Sequence, residues 1–315
     1  MAAGDAVTGF RGQVRDYLAL RREMGFKMEK YGPLLDSLAD HLEDAGLASV
    51  TTQAAVEWAI LPQATQPHRW KARLDAARGF ARYLAASDPL AEVPPTGLLD
   101  ARRNRHQPYI FTGQEISTLL DAAGQHRWHL PTVTYPALFG LIASTGMRLS
   151  EATGLDDADT DLDEAMITIR DSKFGKSRRI PVDETVVAAL RDYRERRRGL
   201  RPARAAPAAP TLFISAYGTR LLGKHADTEF RRIIALTGIG ASAVHPPRIH
   251  DLRHTFAVRT LASWYRDGGD VAARLPLLSA YLGHVSPVST YWYLHAVPEL
   301  LTLAAQRLEN TQAAS

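Results

Sequence analysis

Apolar side chains recur at intervals of three and four residues through most of the first 88 residues, and this spacing constrains the fold more than any other feature. Phe10, Val14 and Tyr17 begin the pattern, and Gly25 interrupts it. Such intervals place side chains on one face of an α-helix, whereas a strand alternates every second residue. The pattern predicts three further helices, over residues 32–47, 51–58 and 67–86. We therefore predict a compact N-terminal domain of four helices over residues 1–88.

Residues 89–108 have the composition of a linker, with four prolines, one glycine and several arginines. Proline lacks a backbone N–H donor, so a proline-rich stretch does not continue a helix. The side chains of Arg102, Arg103 and Arg105 are compatible with contact to a phosphate backbone and equally with a solvated linker.

Residues 109–315 predict a second domain of mixed structure. Thr112 and Glu115 form the pattern of a capping box, which begins a helix. Further helices are expected over residues 131–145 and 183–198 and from residue 222 onward. Two strand-like runs flank a basic turn and predict an antiparallel hairpin over residues 166–182, and one more short strand is expected over residues 212–215. The fold class is therefore mainly α, with a small antiparallel β-sheet in a mixed α+β second domain.

Composition excludes several kinds of site before any motif is considered. The chain contains no cysteine, which excludes disulfides, thiolate zinc sites and cysteine nucleophiles. Its first residues lack the basic and apolar segments of a secretory signal, and its most apolar stretch, residues 135–147, is too short to span a bilayer. We expect a cytoplasmic protein with no membrane partner. The 38 basic and 34 acidic residues are compatible with nucleic-acid binding but do not establish it.

The common signatures of enzyme sites are missing from the sequence: the zinc motif H-E-x-x-H, the phosphate-binding P-loop and the nucleophile motif G-x-S-x-G. Four scattered elements of the second domain remain. Arg148 follows Gly146 between two predicted helices, where it can point into a cleft or simply pair with Glu151. Lys173 lies in the basic turn of the hairpin, where a side chain ordinarily faces solvent.

His250 and Arg253 are three residues apart, so a helix places both on one face and forms a site suited to phosphate. Gly283 and His284 follow, and Tyr293 comes nine residues after His284. A tyrosine is a poor nucleophile at its ordinary pKa of about 10, but neighbouring cations stabilise the phenolate. Each element alone is also compatible with an ordinary surface or core position.

Together the four elements resemble the signature of the tyrosine recombinase family, also called the phage integrase family. That signature consists of an arginine, a hairpin lysine, His-x-x-Arg, Gly-His and a tyrosine, in this order. The chain carries every part, as Arg148, Lys173, His250 with Arg253, His284 and Tyr293. The motifs cover about residues 110–297, whereas the first 88 residues resemble the family only as a small helical bundle. The resemblance implies a two-domain recombinase architecture, with an N-terminal DNA-binding domain and a catalytic domain.

The resemblance also implies the chemistry. Arg148 and Arg253 would hold the scissile phosphate, and Tyr293 would attack phosphorus to form a 3′-phosphotyrosyl bond. Lys173 would protonate the leaving 5′-oxygen. No metal, cofactor or ATP is implied, because the arginines neutralise the charge and the phosphotyrosine conserves the bond energy for rejoining.

The remaining residues would support that reaction. In the family pattern, His250 would assist proton transfer from the tyrosine, and His284 would donate a hydrogen bond to the phosphate. Glu151 matches an acidic position that supports the site from behind. His254, which follows Arg253, is interpreted as a packing or capping residue.

Two of these assignments have competitors. Tyr291 and Tyr293 are about 200° apart around a helix, so only one can enter the site, and the family spacing favours Tyr293. Lys176 competes with Lys173, whose position in the hairpin resembles the family pattern. Lys176 and Arg178 are then interpreted as DNA-binding residues that contact the backbone, or as solvated hairpin charges.

The sequence therefore predicts a site-specific DNA recombinase or integrase. Double-stranded DNA recombination sites are the expected partner, with a dimer on each site and a homo-oligomeric tetramer in synapsis, and accessory recombinases are compatible with the family. Two alternatives stay open, a type IB topoisomerase that relaxes supercoils and a DNA-binding regulator with an inactive recombinase fold. A C-terminal helix over residues 298–308 is expected to pack on its own domain or on a neighbouring protomer.

Overall fold

The computed structural model describes residues 9–61, 67–99, 107–170, 177–200 and 210–284, together with Thr290, Tyr291, Tyr293, Leu300 and Thr302. The chain divides into two compact units, Met1–Arg105 and His106–Ser315. Apolar side chains form separate buried clusters in the two units. Lys173, Lys176, the basic linker cluster and most of the expected C-terminal helix lie outside the described residues.

The described residues of the first unit form four α-helices, as the apolar spacing predicts. They are α1 (Phe10–Glu23), α2 (Gly32–Asp44), α3 (Thr52–Ile60) and α4 (Pro67–Leu84). Leu35, Trp58 and Phe80 are buried at the centre of the bundle. Burial of a large apolar side chain contributes about 1.5–3 kcal/mol, so this core is the main source of the unit's stability. The Thr51 hydroxyl accepts a hydrogen bond from the Ala54 N–H and caps α3.

The first unit extends beyond residue 88, where the sequence places its end. The buried guanidinium of Arg78 donates to the carbonyl oxygens of Pro94 at 2.7 Å and Pro95 at 2.9 Å. The Glu92 N–H donates to the Val50 carbonyl oxygen at 2.8 Å. These bonds satisfy a buried cation and fix the proline-rich segment against the bundle, so its first residues are part of the folded unit.

The second unit is larger and mainly helical, and its described residues include a small sheet. Its helices are α5 (Gly113–Ala123), α6 (His129–Thr145), α7 (Leu149–Gly154), α8 (Glu184–Leu200), α9 (Gly223–Thr237), α10 (Ile249–Arg266) and α11 (Val271–Leu282). The predicted capping box is present at the start of α5. The Thr112 hydroxyl accepts from the Glu115 N–H at 3.2 Å, and the Glu115 carboxylate accepts from the Thr112 N–H at 2.7 Å.

The sheet has three antiparallel strands in the order β1 (Thr160–Asp161), β2 (Met166–Ile169) and β3 (Arg178–Pro181). Ile167 pairs with Ile180, and both side chains are buried. The predicted antiparallel pairing of the two strand-like runs and the predicted fold class, mainly helical with a small antiparallel sheet, are confirmed. The sequence did not indicate β1, and the strand expected over residues 212–215 is replaced by isolated bridges at Thr211 and Ile214.

The C-terminal ends of two helices lie at the functional site. α6 ends at Gly146 and α11 ends at Gly283, and both glycines adopt the left-handed conformation, with φ of 62° and 67°. Left-handed glycine commonly closes a helix and leaves carbonyl oxygens of the last turn exposed to other donors. Among the described helices, none has the length and apolar character needed to cross a membrane.

Candidate active site

The two helix ends meet at Arg253, in the second turn of α10. Its side chain is buried, and its two terminal nitrogens donate to the carbonyl oxygens of Gly146 at 2.6 Å and Leu282 at 2.8 Å. Carbonyl groups at a helix C-terminus carry partial negative charge, which offsets part of the cost of burying a cation. Burial, followed by the charge of Arg148, lowers the pKa of Arg253 to about 10, so the group remains positive at neutral pH.

Both terminal glycines are required by close contacts as well as by their φ angles. A Cβ atom on Gly146 would lie 2.6 Å from the Phe256 ring, and one on Gly283 would lie 2.6 Å from a nitrogen of Arg178. The same peptides supply acceptors to the arginines. Backbone carbonyl oxygens at these two helix ends therefore hold the side chains of Arg148 and Arg253 in place.

Arg148 precedes α7 and reaches across to the end of α11. One terminal nitrogen donates to Glu151 Oε1 at 2.7 Å, and the other donates to the carbonyl oxygen of Gly283 at 2.9 Å. The Arg148 backbone N–H also donates to Glu151 Oε2 at 2.9 Å. The pairing with Glu151 that the sequence left open is therefore present, and it coexists with a position beside Arg253 and His250.

Arg178 is largely buried, so its interpretation as a solvated hairpin charge is wrong. Its two terminal nitrogens donate to the Glu151 carboxylate at 3.0 and 2.9 Å, and its Nε donates to the Tyr281 carbonyl oxygen at 2.9 Å. All three nitrogens are thus engaged by protein oxygens, and the side chain is largely buried. The physical reason is strand alternation: Arg178 shares the inward face of β3 with the buried Ile180, and Arg179 faces outward.

Glu151 joins the two arginines. Burial alone would raise the pKa of its carboxyl group, but the hydrogen bonds from Arg178 and Arg148 outweigh burial and lower the pKa to about 2. One carboxylate thus faces the three cations Arg148, Arg178 and Arg253, which leaves positive charge uncompensated among these groups. A site of this kind is suited to a phosphodiester anion.

His250 stands at the beginning of α10 beside an open cavity of about 610 Å³ that Arg148 also lines. The surrounding protein, followed by the charges of Arg253 and Arg148, lowers its pKa. The residue is exposed on the side of the cavity. The cavity provides an approach for a ligand to Arg148 and His250. Within the described part of the chain, no cluster of three or more histidine or acidic side chains is arranged to hold a metal ion.

Tyr293 is buried against α10, whereas Tyr291 is 45% exposed. The Tyr293 hydroxyl lies 2.9 Å from Nδ1 of His254, and the two rings are 5.4 Å apart at a steep angle. The ring of His284 stacks on Tyr293 at 6.4 Å, and His284 Nδ1 lies 2.7 Å from the Thr290 hydroxyl. The arrangement brings Tyr293 to the same cluster as the histidines and Arg253.

The structure thus brings together Glu151 and the described signature residues, Arg148, His250, Arg253, His284 and Tyr293. The positions of Lys173 and Lys176 lie outside what it describes. His254 was not identified by sequence reasoning, which assigned it to packing or capping. A signal was available, because His254 is four residues after His250 and a helix places both on one face. The two rings meet edge to face at 4.7 Å.

Comparison with known proteins now identifies the family. The sequence model of the Phage integrase family matches residues 110–299. The chain belongs to this family. The resemblance drawn from the signature residues is therefore confirmed, and the chain is a member of the tyrosine recombinases.

Related bacterial proteins match nearly the whole chain. The protein y4rB of Sinorhizobium fredii, provisionally named an integrase/recombinase, is 43% identical over 96% of this chain and 97% of its own length. The tyrosine recombinase XerD of Mycobacterium tuberculosis is 31% identical over 90% of this chain and 93% of its own length. The crystal structure of the site-specific recombinase XerH bound to palindromic difH substrate shares the fold. Its TM-score is 0.65 at 20% identity, over 89% of this chain and 79% of XerH.

Proposed function

We propose that this protein is a site-specific DNA recombinase that cuts and rejoins duplex DNA through a 3′-phosphotyrosyl bond to Tyr293. The observation that supports this most directly is the position of the Tyr293 hydroxyl, in contact with His254 and next to the cluster of His284, Arg253 and Arg148. Membership of the family and similarity to XerD of Mycobacterium tuberculosis over most of the chain favour the same activity.

In this proposal Arg148 and Arg253 hold the non-bridging oxygens of the scissile phosphate. A guanidinium has five N–H donors, and the terminal nitrogens of each arginine use only part of theirs on protein oxygens. A phosphodiester gains negative charge as it becomes pentacovalent. Cations already fixed by backbone carbonyls stabilise that charge without reorganising, which is the main electrostatic source of catalysis.

The bond changes are those of an in-line displacement. The Tyr293 oxygen attacks phosphorus, the P–O5′ bond breaks, and Lys173 supplies a proton to the departing 5′-oxygen. His250 and His284 bind the phosphate from the side of α10 and from the turn after α11. Rejoining is the reverse attack by a 5′-hydroxyl, so neither ATP nor a metal ion takes part in the scheme.

The first unit would supply further DNA contacts, and its helical bundle would act as the core DNA-binding domain. Recombination between two sites needs four active sites, so we propose a dimer on each site and a tetramer in synapsis. The same catalytic residues would serve supercoil relaxation, which is the activity of the topoisomerase alternative.

A nicked suicide substrate tests the proposal. Duplexes selected from a randomised library by binding to the purified chain provide the site, and a nick beside the cleavage point releases a short fragment and traps the adduct. We expect a covalent protein–DNA adduct in EDTA and without ATP. A strict metal requirement would contradict the mechanism, and the absence of an adduct on tightly bound duplexes would favour an inactive DNA-binding regulator.

A further inference from the structure

We propose that His254 is a further catalytic residue, which orients the Tyr293 hydroxyl and receives its proton at Nδ1 during attack on phosphorus. This inference rests on the proposed function, because it assigns a role in the same strand-cleavage step. It differs from the family pattern, in which His250 assists that proton transfer.

The contact geometry supports His254 directly. Its Nδ1 lies 2.9 Å from the Tyr293 oxygen, a distance typical of a good hydrogen bond. A proton acceptor must reach the proton that it removes, and His254 satisfies this condition with the reacting oxygen itself. Tyr293 is 2% exposed, so bulk water has little access to this oxygen in the structure.

The position of the ring is fixed on several sides. His254 is in the second turn of α10, with the His250 ring edge-on at 4.7 Å and the Tyr293 ring at 5.4 Å. The Tyr293 ring in turn stacks on His284. A side chain held between aromatic neighbours loses little further freedom when it takes up its catalytic geometry, which favours a defined orientation of the tyrosine oxygen.

The charges around His254 make its pKa depend on whether a phosphate is bound. Burial first, and then His250, Arg253, Arg248 and His284, lower its pKa to about 3. The ring is therefore neutral in the free protein and can accept the tyrosine hydrogen bond at Nδ1, with the ring proton on Nε2. A bound phosphate places negative charge beside Arg253, which raises the pKa of His254 and strengthens it as a base when DNA is present.

The step balances in atoms and charge. The O–H bond of Tyr293 breaks as its oxygen bonds to phosphorus, and the proton passes to Nδ1 of His254. The electron pair of the P–O5′ bond leaves with the 5′-oxygen, which Lys173 protonates. In rejoining, His254 returns its proton to Tyr293 as the phosphotyrosyl bond breaks.

The test measures single-turnover cleavage of the nicked suicide duplex, with duplex binding and urea unfolding measured alongside. We expect His254→Leu to bind the duplex but to cleave it about 100-fold more slowly, since a positioned acid or base contributes about 10²–10⁴-fold. His254→Asn keeps an acceptor oxygen near the Nδ1 position and should lose less. The control is His225→Leu, at an exposed position on α9, which should cleave like the wild type.

A second arm separates proton transfer from packing. Difluorotyrosine at position 293 has a more acidic hydroxyl and depends less on a base, so we expect it to restore the cleavage rate of His254→Leu by tenfold or more. A structural role for His254 would show no such restoration. Cleavage by His254→Leu within threefold of wild type, or no restoration by fluorination, would overturn the inference. If the wild-type chain forms no adduct, the proposed function fails instead.

Discussion

At the scale of single residues, Glu151 shows how one buried carboxylate orders two arginines. It accepts hydrogen bonds from Arg148 and from both terminal nitrogens of Arg178, which itself bonds the end of α11 at Tyr281. These bonds keep its pKa at about 2 in spite of burial. Arg178 is thus a positioning residue, because it fixes Glu151 and, through Glu151, the orientation of Arg148.

Removal of Arg178 should destabilise the fold. We expect Arg178→Met to lower the free energy of unfolding by about 2–3 kcal/mol, because a buried carboxylate loses one of its two partners. Arg179→Met, at the exposed neighbouring position on β3, should change it by less than about 0.5 kcal/mol. Urea unfolding of both variants at neutral pH measures the difference. Equal stability of the two variants would show that the pairing of Arg178 with Glu151 does not contribute to the free energy of unfolding.

The sequence indicated some of these residues and missed others for a physical reason. Arg148, Arg253 and Tyr293 stand in motifs whose order alone suggests a phosphate site. Arg178 and His254 act through partners more than 25 residues away, at Glu151 and Tyr293. Nothing in local spacing specifies such partners, although strand alternation and helical periodicity indicate which face each side chain occupies.

At the scale of elements, the ends of α6 and α11 position the site. Their terminal glycines allow tight left-handed turns, and carbonyl oxygens at these ends bind Arg148 and Arg253. The positions of the arginine side chains therefore depend on where these two helices end. Substitutions at the terminal glycines should displace the side chains of Arg148 and Arg253.

Alanine at Gly146 should be costly for two separate reasons. Its φ of 62° strains any other residue by about 1–2 kcal/mol, and its Cβ would meet the Phe256 ring at 2.6 Å and Leu282 at 2.9 Å. We expect Gly146→Ala to lose about 3 kcal/mol or more in urea unfolding. Gly238→Ala, at the end of α9, has a similar φ of 68° but nothing within 4 Å of the new Cβ. Its free energy of unfolding should fall only by the cost of the backbone strain. An equal fall in both variants would exclude a packing role for Gly146.

The elements themselves were largely predictable. Long apolar periodicities gave the helices of the first unit within a few residues, and the capping box at Thr112 located the start of α5. β1 has two residues and is defined by its pairing with β2, so its own sequence carries no strand signal. The proline-rich segment after residue 88 was interpreted from composition, which does not show that Arg78 binds its carbonyl groups.

At the scale of the whole molecule, net charge is a poor guide to the site. The formal charge is only +4 over 315 residues. The positive charge that a phosphate would meet is concentrated in a few arginines of the second unit. Burial first, and then this concentration of charge, disfavours protonation of His254 and His284, whose pKa values are lowered to about 3 and 4.

This should make the folded chain sensitive to mild acid. The pKa values of both histidines are lower in the folded chain than the unfolded value of about 6.5, so their stabilisation is present above pH 6.5 and is lost as the pH falls. Between pH 7.5 and 5.5 we expect the free energy of unfolding to fall by about 1 kcal/mol for each histidine. The double variant His254→Asn, His284→Asn should show a smaller decrease in urea unfolding. The same decrease in the variant and the wild type would contradict this account.

Identifying the residue that carries the DNA tests the nucleophilic role of Tyr293 directly. The trapped adduct on the nicked duplex is digested with protease and nuclease, and the modified peptide is sequenced by mass spectrometry, with Tyr293→Phe and Tyr291→Phe in parallel. We expect a nucleotide on Tyr293, an adduct from Tyr291→Phe and none from Tyr293→Phe. An adduct that persists in Tyr293→Phe, or a nucleotide on Tyr291, would contradict this role of Tyr293.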